Sequence, residues 1–151
     1  MKNKEVEFKI DKDGTWSSDY GEVKHPRIKR YLSQILKEEN GNFTVSDGKS
    51  SARVKVEETP FFVEAIREEK KAGKTTGILL IINDDTIEKL DPSTLKIKKD
   101  NSIICKIKNG RFKAKFTLSA YWQLIEHVIE EEGKFYLKLG DKKWPLEAES
   151  D

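Results

Sequence analysis

Alternating apolar residues on both sides of an Asn-Gly pair constrain the fold of this chain more than any other feature. They are Ile103, Cys105 and Ile107 before Asn109-Gly110, and Phe112, Ala114 and Phe116 after it. Asn-Gly supplies the two positive-φ residues of a type I′ turn, and this turn matches the twist of paired strands. The sequence therefore predicts a β-hairpin over residues 103–116.

A helix and a strand are predicted directly after this hairpin. The helical period is carried by an apolar stripe, which ends at Gly133. The stripe consists of Leu118, Tyr121, Trp122, Ile125, Val128 and Ile129. Beyond it, Phe135, Leu137 and Leu139 alternate with other residues, as in a half-buried strand.

The N-terminal part of the chain shows a comparable order of elements. Apolar residues alternate over residues 6–10 as a first strand, and His25-Pro26 begins a helix, since proline at the first helical position loses no hydrogen bond. Asn40-Gly41 ends this helix, and strands follow over residues 43–45 and 52–56. The apolar stripe of the helix contains Ile28, Tyr31, Leu32, Ile35 and Leu36.

The middle of the chain contains its most apolar segment. Residues 77–83 are apolar on both strand faces, which predicts a central, fully buried strand. We expect a strand over residues 60–66, a charged and flexible connection over 67–74, and a short helical piece over 86–90. We expect residues 147–151 to form a frayed tail.

The two helix regions indicate an internal repeat. Ile28 and Leu32 align with Tyr121 and Ile125, and Asn40 has no counterpart in this alignment. After the helices, the aligned positions are Gly41, Phe43, Val45 and Gly48 with Gly133, Phe135, Leu137 and Gly140. We therefore predict an α+β fold of two pseudo-repeated strand-strand-helix-strand-strand units, with mostly antiparallel sheet and a central apolar strand between them. The predicted boundaries are 1–59 and 98–151 for the repeats and 60–97 for the connecting strands.

Composition narrows the class of protein. Lys+Arg number 29 and Asp+Glu 27 among 151 residues, and this near balance argues against an overall field that attracts nucleic acid. Cys105 is the only cysteine, which excludes an internal disulfide and favours plain core packing. The longest apolar run, residues 78–82, is too short to span a bilayer, and the N-terminus is charged. We expect a cytoplasmic protein without membrane contact.

A basic face on the hairpin is the sharpest candidate site. Strand alternation places Lys106, Lys108, Arg111 and Lys113 opposite the apolar residues, with Lys108 across from Arg111 and Lys106 across from Lys113. One interpretation is a solvated face that discourages edge pairing. The other is a site for an anionic small molecule or protein partner. Nucleic acid is disfavoured, because Phe112 and Phe116 alternate away from this face.

Carboxylates and histidines offer weaker candidates. Glu57 and Glu58 are adjacent on a strand and therefore point to opposite faces, so a bend at Pro60 explains this segment better than a carboxylate site. His25 is interpreted as the residue that begins the first helix. With His127 it makes a weak case for a metal site, and no cofactor is predicted. Nucleophile-elbow, P-loop and dinucleotide-binding motifs are absent from the sequence.

Aromatic residues define the last candidate. If the two halves are repeats, a cleft forms between them, and Trp16, Phe61 and Trp122 are the aromatic residues expected near it as ligand-binding residues, together with Glu57. A metal-independent enzyme that uses Glu57 or Glu58 with His25 in this cleft is the alternative to a binding module, and a weak nucleic-acid binder that uses the basic hairpin is the third hypothesis. Pairing between chains through strand edges stays open.

Three stretches resemble a bacterial family known only as domain of unknown function 1285 (DUF1285). The first covers residues 10–16 and 24–28, the second is Val-Lys-Val-Glu-Glu-Thr-Pro-Phe at residues 54–61, and the third covers residues 110–114 and 120–124. Glu58 stands where the family pattern has Asp. The resemblance implies an α+β fold with repeated motifs and a regulatory or signalling role, and it brings no catalytic residues. We therefore expect a small binding or regulatory module rather than an enzyme.

Overall fold

The computed structural model describes residues 7–150 and divides the chain into two compact units, Met1–Pro60 and Phe61–Asp151. Both units combine a helix with mostly antiparallel sheet, so the predicted α+β class is confirmed. Of the residues predicted as connecting strands, 60–97, all but Pro60 belong to the second unit. No helix in the described range is long and apolar enough to cross a membrane.

The first unit is a six-stranded sheet with one helix. Its strands lie in the order β3-β2-β1-β6-β5-β4, and within residues 7–60 only β1 and β6 run parallel. Ile10, Trp16, Val45 and Val54 are buried in this unit. Its elements are β1 (Glu7–Ile10), β2 (Trp16–Ser18), β3 (Gly21–Glu22), α1 (Pro26–Ile35), β4 (Lys37–Glu39), β5 (Asn42–Ser46) and β6 (Ser51–Val56). Val6, predicted in the first strand, lies outside the described residues.

Helix α1 begins as predicted and ends earlier than predicted. Nδ1 of His25 accepts a hydrogen bond from the Arg27 backbone N–H at 3.2 Å, which makes His25 the N-cap. The helix was expected to continue to Asn40, but Leu36 is extended (ψ 129°) and the chain enters β4. The predicted stripe is only partly buried, because Ile28 is 51% exposed.

The second unit contains a seven-stranded sheet, a three-stranded sheet and one helix. The larger sheet has the order β16-β10-β11-β12-β7-β8-β9, and the smaller has the order β13-β14-β15. The elements are β7 (Phe61–Lys71), β8 (Lys74–Ile82), β9 (Ile87–Lys89), a 3₁₀ turn (Pro92–Thr94), β10 (Lys96–Ile97), β11 (Ile103–Ile107), β12 (Phe112–Phe116), α2 (Leu118–Ile125), β13 (Val128–Glu131), β14 (Lys134–Leu139), β15 (Lys142–Pro145) and β16 (Glu147–Ala148).

The charged connection predicted over residues 67–74 is wrong. These residues form the end of β7, a two-residue turn and the start of β8, with Lys71 paired to Lys74. Ala72 and Gly73 have φ of 52° and 79°, the positive values of a type I′ turn. The prediction failed because alanine is rare at such a φ and because both faces of this hairpin end carry charges.

Strand β8 contains the predicted apolar segment and begins earlier, at Lys74. Ile78, Leu80 and Ile82 are fully buried, whereas Leu79 and Ile81 are half-buried. The strand therefore has one core face and one partly covered face, between β7 and β9. The helical piece expected over residues 86–90 is instead β9, which pairs antiparallel with β8.

Helix α2 ends at Ile125, eight residues before the predicted stop at Gly133. Val128 belongs to β13, so the apolar stripe predicted as one helix joins a helix to a strand. The buried face consists of Ala120 and Leu124, whereas Leu118 is 70% exposed. The spacing of bulky residues misled the prediction, because small Ala120 faces the core.

Each helix is followed by a strand, a two-residue turn and a second strand. The turns are Asn40-Gly41 and Glu132-Gly133, with φ of 52° and 84° in the first and 52° and 78° in the second. Asn40, predicted to lack a counterpart, and Glu132 are each the first residue of their turn. The common origin of the two halves stays a prediction.

The predicted hairpin is present as β11 and β12, and its register pairs Cys105 with Ala114 and Lys106 with Lys113. Asn109 and Gly110 have φ of 60° and 78°, and the Arg111 N–H donates to the Lys108 carbonyl at 3.3 Å, as a type I′ turn requires. Cys105 is buried, and burial raises the pKa of its thiol to about 12, with the nearby Glu88 carboxylate adding to the shift. Cys105 is therefore a buried core residue whose thiol stays protonated.

The C-terminal segment is paired rather than frayed. Strand β16 runs parallel to β10, with Glu147 opposite Lys96 and Ala148 opposite Ile97. The Glu149 N–H donates to the Ile97 carbonyl at 2.8 Å. The prediction of a frayed tail was wrong for residues 147–149, because charge composition alone did not reveal their lysine partners.

Candidate functional site

An apolar pocket of about 450 Å³ lies in the second unit. It lies where the large sheet, α2 and the small sheet meet. The lining consists of Ile97, Asn101, Ile103, Tyr121, Ile125, Val128, Ile129, Glu130, Phe135 and Leu146. Pockets that bind small molecules commonly have this size and this mostly apolar character.

The local sequence patterns explain how these side chains converge. Ile97 and Ile103 are register partners on β10 and β11, so they share one face of the sheet. Tyr121 and Ile125 are four residues apart on α2 and therefore share a helix face. Helix α2 is held on the sheet because Oε1 of Gln123 accepts a hydrogen bond from the Ile66 N–H at 2.9 Å. The sequence did not predict this pocket, because its walls come from separate segments between residues 97 and 146.

Few polar groups line the pocket. The Tyr121 ring packs edge-on against Trp122 at 6.0 Å between centroids, which places the exposed Trp122 beside the pocket wall. Glu130 is the only charged residue in the lining. Its neighbour Glu131 lies 2.6 Å from the Lys143 ammonium, whereas no basic group within residues 7–150 forms an ion pair with Glu130.

The basic face of the hairpin is present, but its predicted geometry changes at Lys108. Lys108 has a φ of 54°, which turns its side chain out of the strand. Its Nζ lies 2.8 Å from Oδ2 of Asp84 and 5.1 Å from the centre of the Phe61 ring. Lys108 and Arg111 flank the turn, as predicted, but Lys108 is not part of an open basic strip, because its charge is neutralised within the protein.

Asp84 is the buried partner in this ion pair, with 6% of its surface exposed. Burial acts to raise the pKa of Asp84, but hydrogen bonds from Lys108 and Thr86 outweigh it and hold the pKa below its ordinary value. The Lys108 backbone N–H also donates to Oε1 of Glu88 at 2.9 Å. These contacts make a structural cluster at the end of β8.

Other lysines of the basic face contact the C-terminal segment. Nζ of Lys113 lies 3.2 Å and Nζ of Lys98 lies 3.5 Å from the carboxylate of Glu149, and Lys96 lies 3.1 Å from that of Glu147. Burial acts to raise the pKa of Glu149, but the hydrogen bond from Lys113 and the charges of both lysines lower it below its ordinary value. We call this set of residues the tail cluster.

Lys106 and Arg111 are the remaining predicted basic residues. Lys106 is exposed, and its backbone N–H donates to Oγ1 of Thr94 at 3.0 Å. The Arg111 guanidinium lies 5.4 Å from the centre of the Phe112 ring. Lys106 also lines a cavity of about 520 Å³ together with Lys89 and Lys108, and acidic Glu88 and Asp91 in the same lining offset two of these three positive charges.

The predicted aromatic residues have different environments. Trp16 is 1% exposed and packs edge-on against Phe8 at 5.9 Å in the first unit. Phe61 is 2% exposed and packs against Phe112 at 5.3 Å in the second. Only Trp122, which is 61% exposed, can contact a ligand without rearrangement. Burial gives the first two a core role.

The carboxylates and histidines proposed for an enzyme have local structural contacts. Oε2 of Glu57 accepts a hydrogen bond from the Lys12 backbone N–H at 2.6 Å, which fixes the turn after β1. His25 caps α1, as described above. His127 lies 2.8 Å from Oε1 of Glu68, a pair that the sequence did not predict. No group of His, Cys, Asp and Glu suited to a metal ion occurs among the described side chains.

Comparison with solved structures gives two similar proteins. A DUF1285 family protein from Silicibacter pomeroyi DSS-3 matches with a TM-score of 0.72 and 17% identity, over 94% of this chain and 80% of that chain. The chain has the DUF1285 fold. A second DUF1285 protein, from Shewanella baltica OS155, matches with a TM-score of 0.61 and 16% identity, over 79% of this chain and 90% of that chain.

The DUF1285 resemblance drawn from the sequence is thus confirmed at the level of the fold. No protein-family model matches the chain, and no curated protein matches it either. At 17% and 16% identity, the likeness to these two proteins extends to the fold alone.

Proposed function

We propose that this chain is a binding module that holds a small, mostly apolar molecule in the pocket of its second unit. The observation that supports this proposal is the 450 Å³ cavity with its isoleucine-rich wall. An apolar molecule that enters it removes its own surface and that of the wall from water, at about 25 cal/mol per Å² of buried apolar surface. Tyr121 and Asn101 supply hydrogen-bonding groups that orient such a molecule.

A neutral dye tests the proposal. N-phenyl-naphthylamine fluoresces in apolar surroundings, and we expect the folded protein to enhance its fluorescence. Ile125→Phe places a larger side chain in the pocket and is expected to abolish most of the enhancement. Leu118→Phe on the exposed part of the same helix is the matched control and should retain it.

Folding of both variants is checked by urea unfolding, because an overpacked site costs about 1–3 kcal/mol. Equal dye fluorescence with Ile125→Phe and wild type, in folded protein, would place the dye elsewhere and contradict the proposal.

Recognition of an anionic partner is a second candidate function. It is favoured by the tail cluster, in which three lysines converge on two carboxylates of one extended segment. The pocket itself does not suit an anion, because its one charged group is negative. Nucleic acid is less well supported, since base stacking needs aromatic side chains beside the lysines, and Phe112 and Phe116 alternate away from Lys113 on β12. A regulatory role fits this candidate better than catalysis, because Glu57 and His25 are engaged in local structure.

A further inference from the structure

Strand β16 has two residues, and both backbone hydrogen bonds and ion pairs hold it on β10. It runs parallel to β10, and the Glu149 N–H extends the pairing by one hydrogen bond of 2.8 Å to Ile97. Glu147 and Glu149 are two residues apart, so strand alternation places both carboxylates on one side. On that side they contact Lys96, Lys98 and Lys113.

The lysines of the tail cluster come from elements that are fixed independently of β16. Lys96 and Lys98 lie on and just after β10, which pairs with β11, and Lys113 lies on β12. Ile103 lines the apolar pocket, so Ile104 and Lys106 on the same strand point to the opposite face of the sheet. Lys96 pairs with Ile104 and Lys113 pairs with Lys106, so both lysines also lie on the face opposite the pocket. The three lysines therefore keep their positions when the segment that carries Glu147 and Glu149 is absent.

We propose that the edge of β10, with Lys96, Lys98 and Lys113, is a docking surface for an extended acidic segment of a protein partner, and that β16 occupies it as a displaceable internal competitor. The partner segment carries carboxylates two residues apart, as Glu147 and Glu149 are, and adds a strand to the sheet edge. This inference rests on the second candidate function and names the class of its partner.

The structure supports displacement of β16. Two paired residues form a short edge strand, and such elements open locally at small free-energy cost. The Lys96–Glu147 pair is exposed to water, with side-chain exposures of 37% and 64%, so it contributes little to stability, whereas the Glu149 carboxylate is only 26% exposed. A partner segment with the same contacts and a longer paired stretch would therefore replace β16.

A strand-forming partner fits this surface better than a phosphate-rich one. The Ile97 carbonyl of β10 accepts a hydrogen bond from a backbone N–H of the paired segment, that of Glu149. Phosphate groups could contact the lysines but would leave the strand edge unpaired. Unpaired edges are the features to which extended peptides add.

A peptide with the sequence of residues 145–150, Pro-Leu-Glu-Ala-Glu-Ser, is the probe for this surface. Its fluorescein-labelled form is titrated with wild-type protein and with the full-length variant Glu147→Gln/Glu149→Gln. Because an attached segment competes at an effective concentration near the millimolar range, we expect the variant to bind the peptide about tenfold more tightly than wild type does. A peptide with glutamine at both acidic positions should bind much more weakly.

Two lysine substitutions in that variant separate a specific surface from general basic charge. Lys113→Gln removes a contact to the acidic segment and is expected to reduce peptide affinity about fivefold or more. Lys106→Gln removes the charge of the register partner of Lys113 and should leave the affinity unchanged, because Lys106 does not contact β16 in the described structure. Circular dichroism checks that every variant is folded.

Equal peptide affinity in wild type and in the glutamine variant would overturn the proposal, as would unchanged affinity after Lys113→Gln. If pyrophosphate or a short DNA binds the variant and the peptide does not, the acidic-strand inference fails while the anionic candidate stands. If none of these anions binds, both fail. Dye binding in the apolar pocket is measured separately, so its outcome does not depend on this experiment.

Discussion

The ammonium of Lys108 lies 2.8 Å from the Oδ2 atom of Asp84, and this pair joins the tip of the β11–β12 hairpin to the end of β8. Asp84 is 6% exposed and Lys108 about a quarter exposed, so the pair lies at the edge of the core. The contact explains why a lysine tolerates a φ of 54° at the start of a tight turn. It also removes Lys108 from the set of residues that can bind an external anion.

Replacement of Lys108 by methionine should destabilise the protein by about 2 kcal/mol, because Asp84 would then be a buried carboxylate without its cation. Urea unfolding at neutral pH measures this loss. Lys74→Met is the matched control, since Lys74 lies 3.8 Å from the carboxylate of Asp141, which is 95% exposed. This substitution should lower the free energy of unfolding far less. Equal destabilisation by both substitutions would contradict a structural role for the Lys108–Asp84 pair.

The same pair predicts a pH dependence. The pKa of Asp84 is lower in the folded protein than its ordinary value of 3.8, so the folded state binds this proton less readily than the unfolded state does. The ionised Asp84 therefore stabilises the folded protein fully at pH values above its ordinary pKa of 3.8. This contribution is lost as the pH falls through the lower pKa that Asp84 has in the folded state. Asp84→Asn should cost stability at neutral pH, and the difference from wild type should vanish in acid.

Chemical denaturation at several pH values measures this difference. Asp141→Asn serves as the control for the substitution itself and should give a small difference at every pH, because the side chain is 95% exposed. A difference between wild type and Asp84→Asn that stays constant down to strongly acidic pH would show that the carboxylate charge is not the stabilising feature.

Backbone strain at the tip of the β7–β8 hairpin gives a stabilising substitution. Ala72 has a φ of 52°, a conformation in which asparagine is several-fold more common than alanine. Ala72→Asn is therefore expected to raise the free energy of unfolding by about 0.5–1 kcal/mol. The adjacent Gly73→Ala should lower it by about 1 kcal/mol, although a Cβ there has free space, because its φ is 79°.

Thermal unfolding midpoints of the two variants test this pair of expectations. Both substitutions lie at an exposed turn, so neither changes the core. A loss of stability with Ala72→Asn, or no loss with Gly73→Ala, would mean that this turn is not held in the positive-φ conformation in solution.

The sequence predicted those elements whose local signals agree with the fold. Asn109-Gly110 flanked by alternating residues specified the β11–β12 hairpin, and His25-Pro26 specified the start of α1. It failed where an unusual residue occupies a special backbone conformation. Ala72 and Glu132 are the first residues of two tight turns, a position where asparagine or glycine would have indicated a turn. One hairpin was therefore predicted as a loop, and one helix was predicted too long.

The candidate sites depended on long-range contacts that no local pattern contains. The charges of Glu147 and Glu149 were visible in the sequence, but their lysine partners are 36 to 51 positions away. The apolar pocket likewise combines β10, α2 and β13 through tertiary packing. Alternation correctly placed Lys106 opposite Lys113, because a hairpin register follows from its turn.

The charge of Glu130 predicts which ligands the pocket prefers. It is the only charged residue of the lining, and the aromatic rings of Tyr121 and Phe135 line the same cavity. A carboxylate and aromatic faces both favour an organic cation. Among molecules with the same apolar body, we therefore expect naphthylmethylamine to bind about threefold to tenfold more tightly than naphthylmethanol at low salt.

Glu130→Gln should remove this preference and leave the affinity for the alcohol unchanged. Glu131→Gln is the matched control on the same strand and should retain the preference, because Glu131 is paired with Lys143 at 2.6 Å. Isothermal titration at low and at moderate salt measures both affinities, and salt should weaken only the amine. Equal affinities of the wild type for amine and alcohol would show that Glu130 does not act on the ligand, whereas binding of neither molecule would count against the pocket itself.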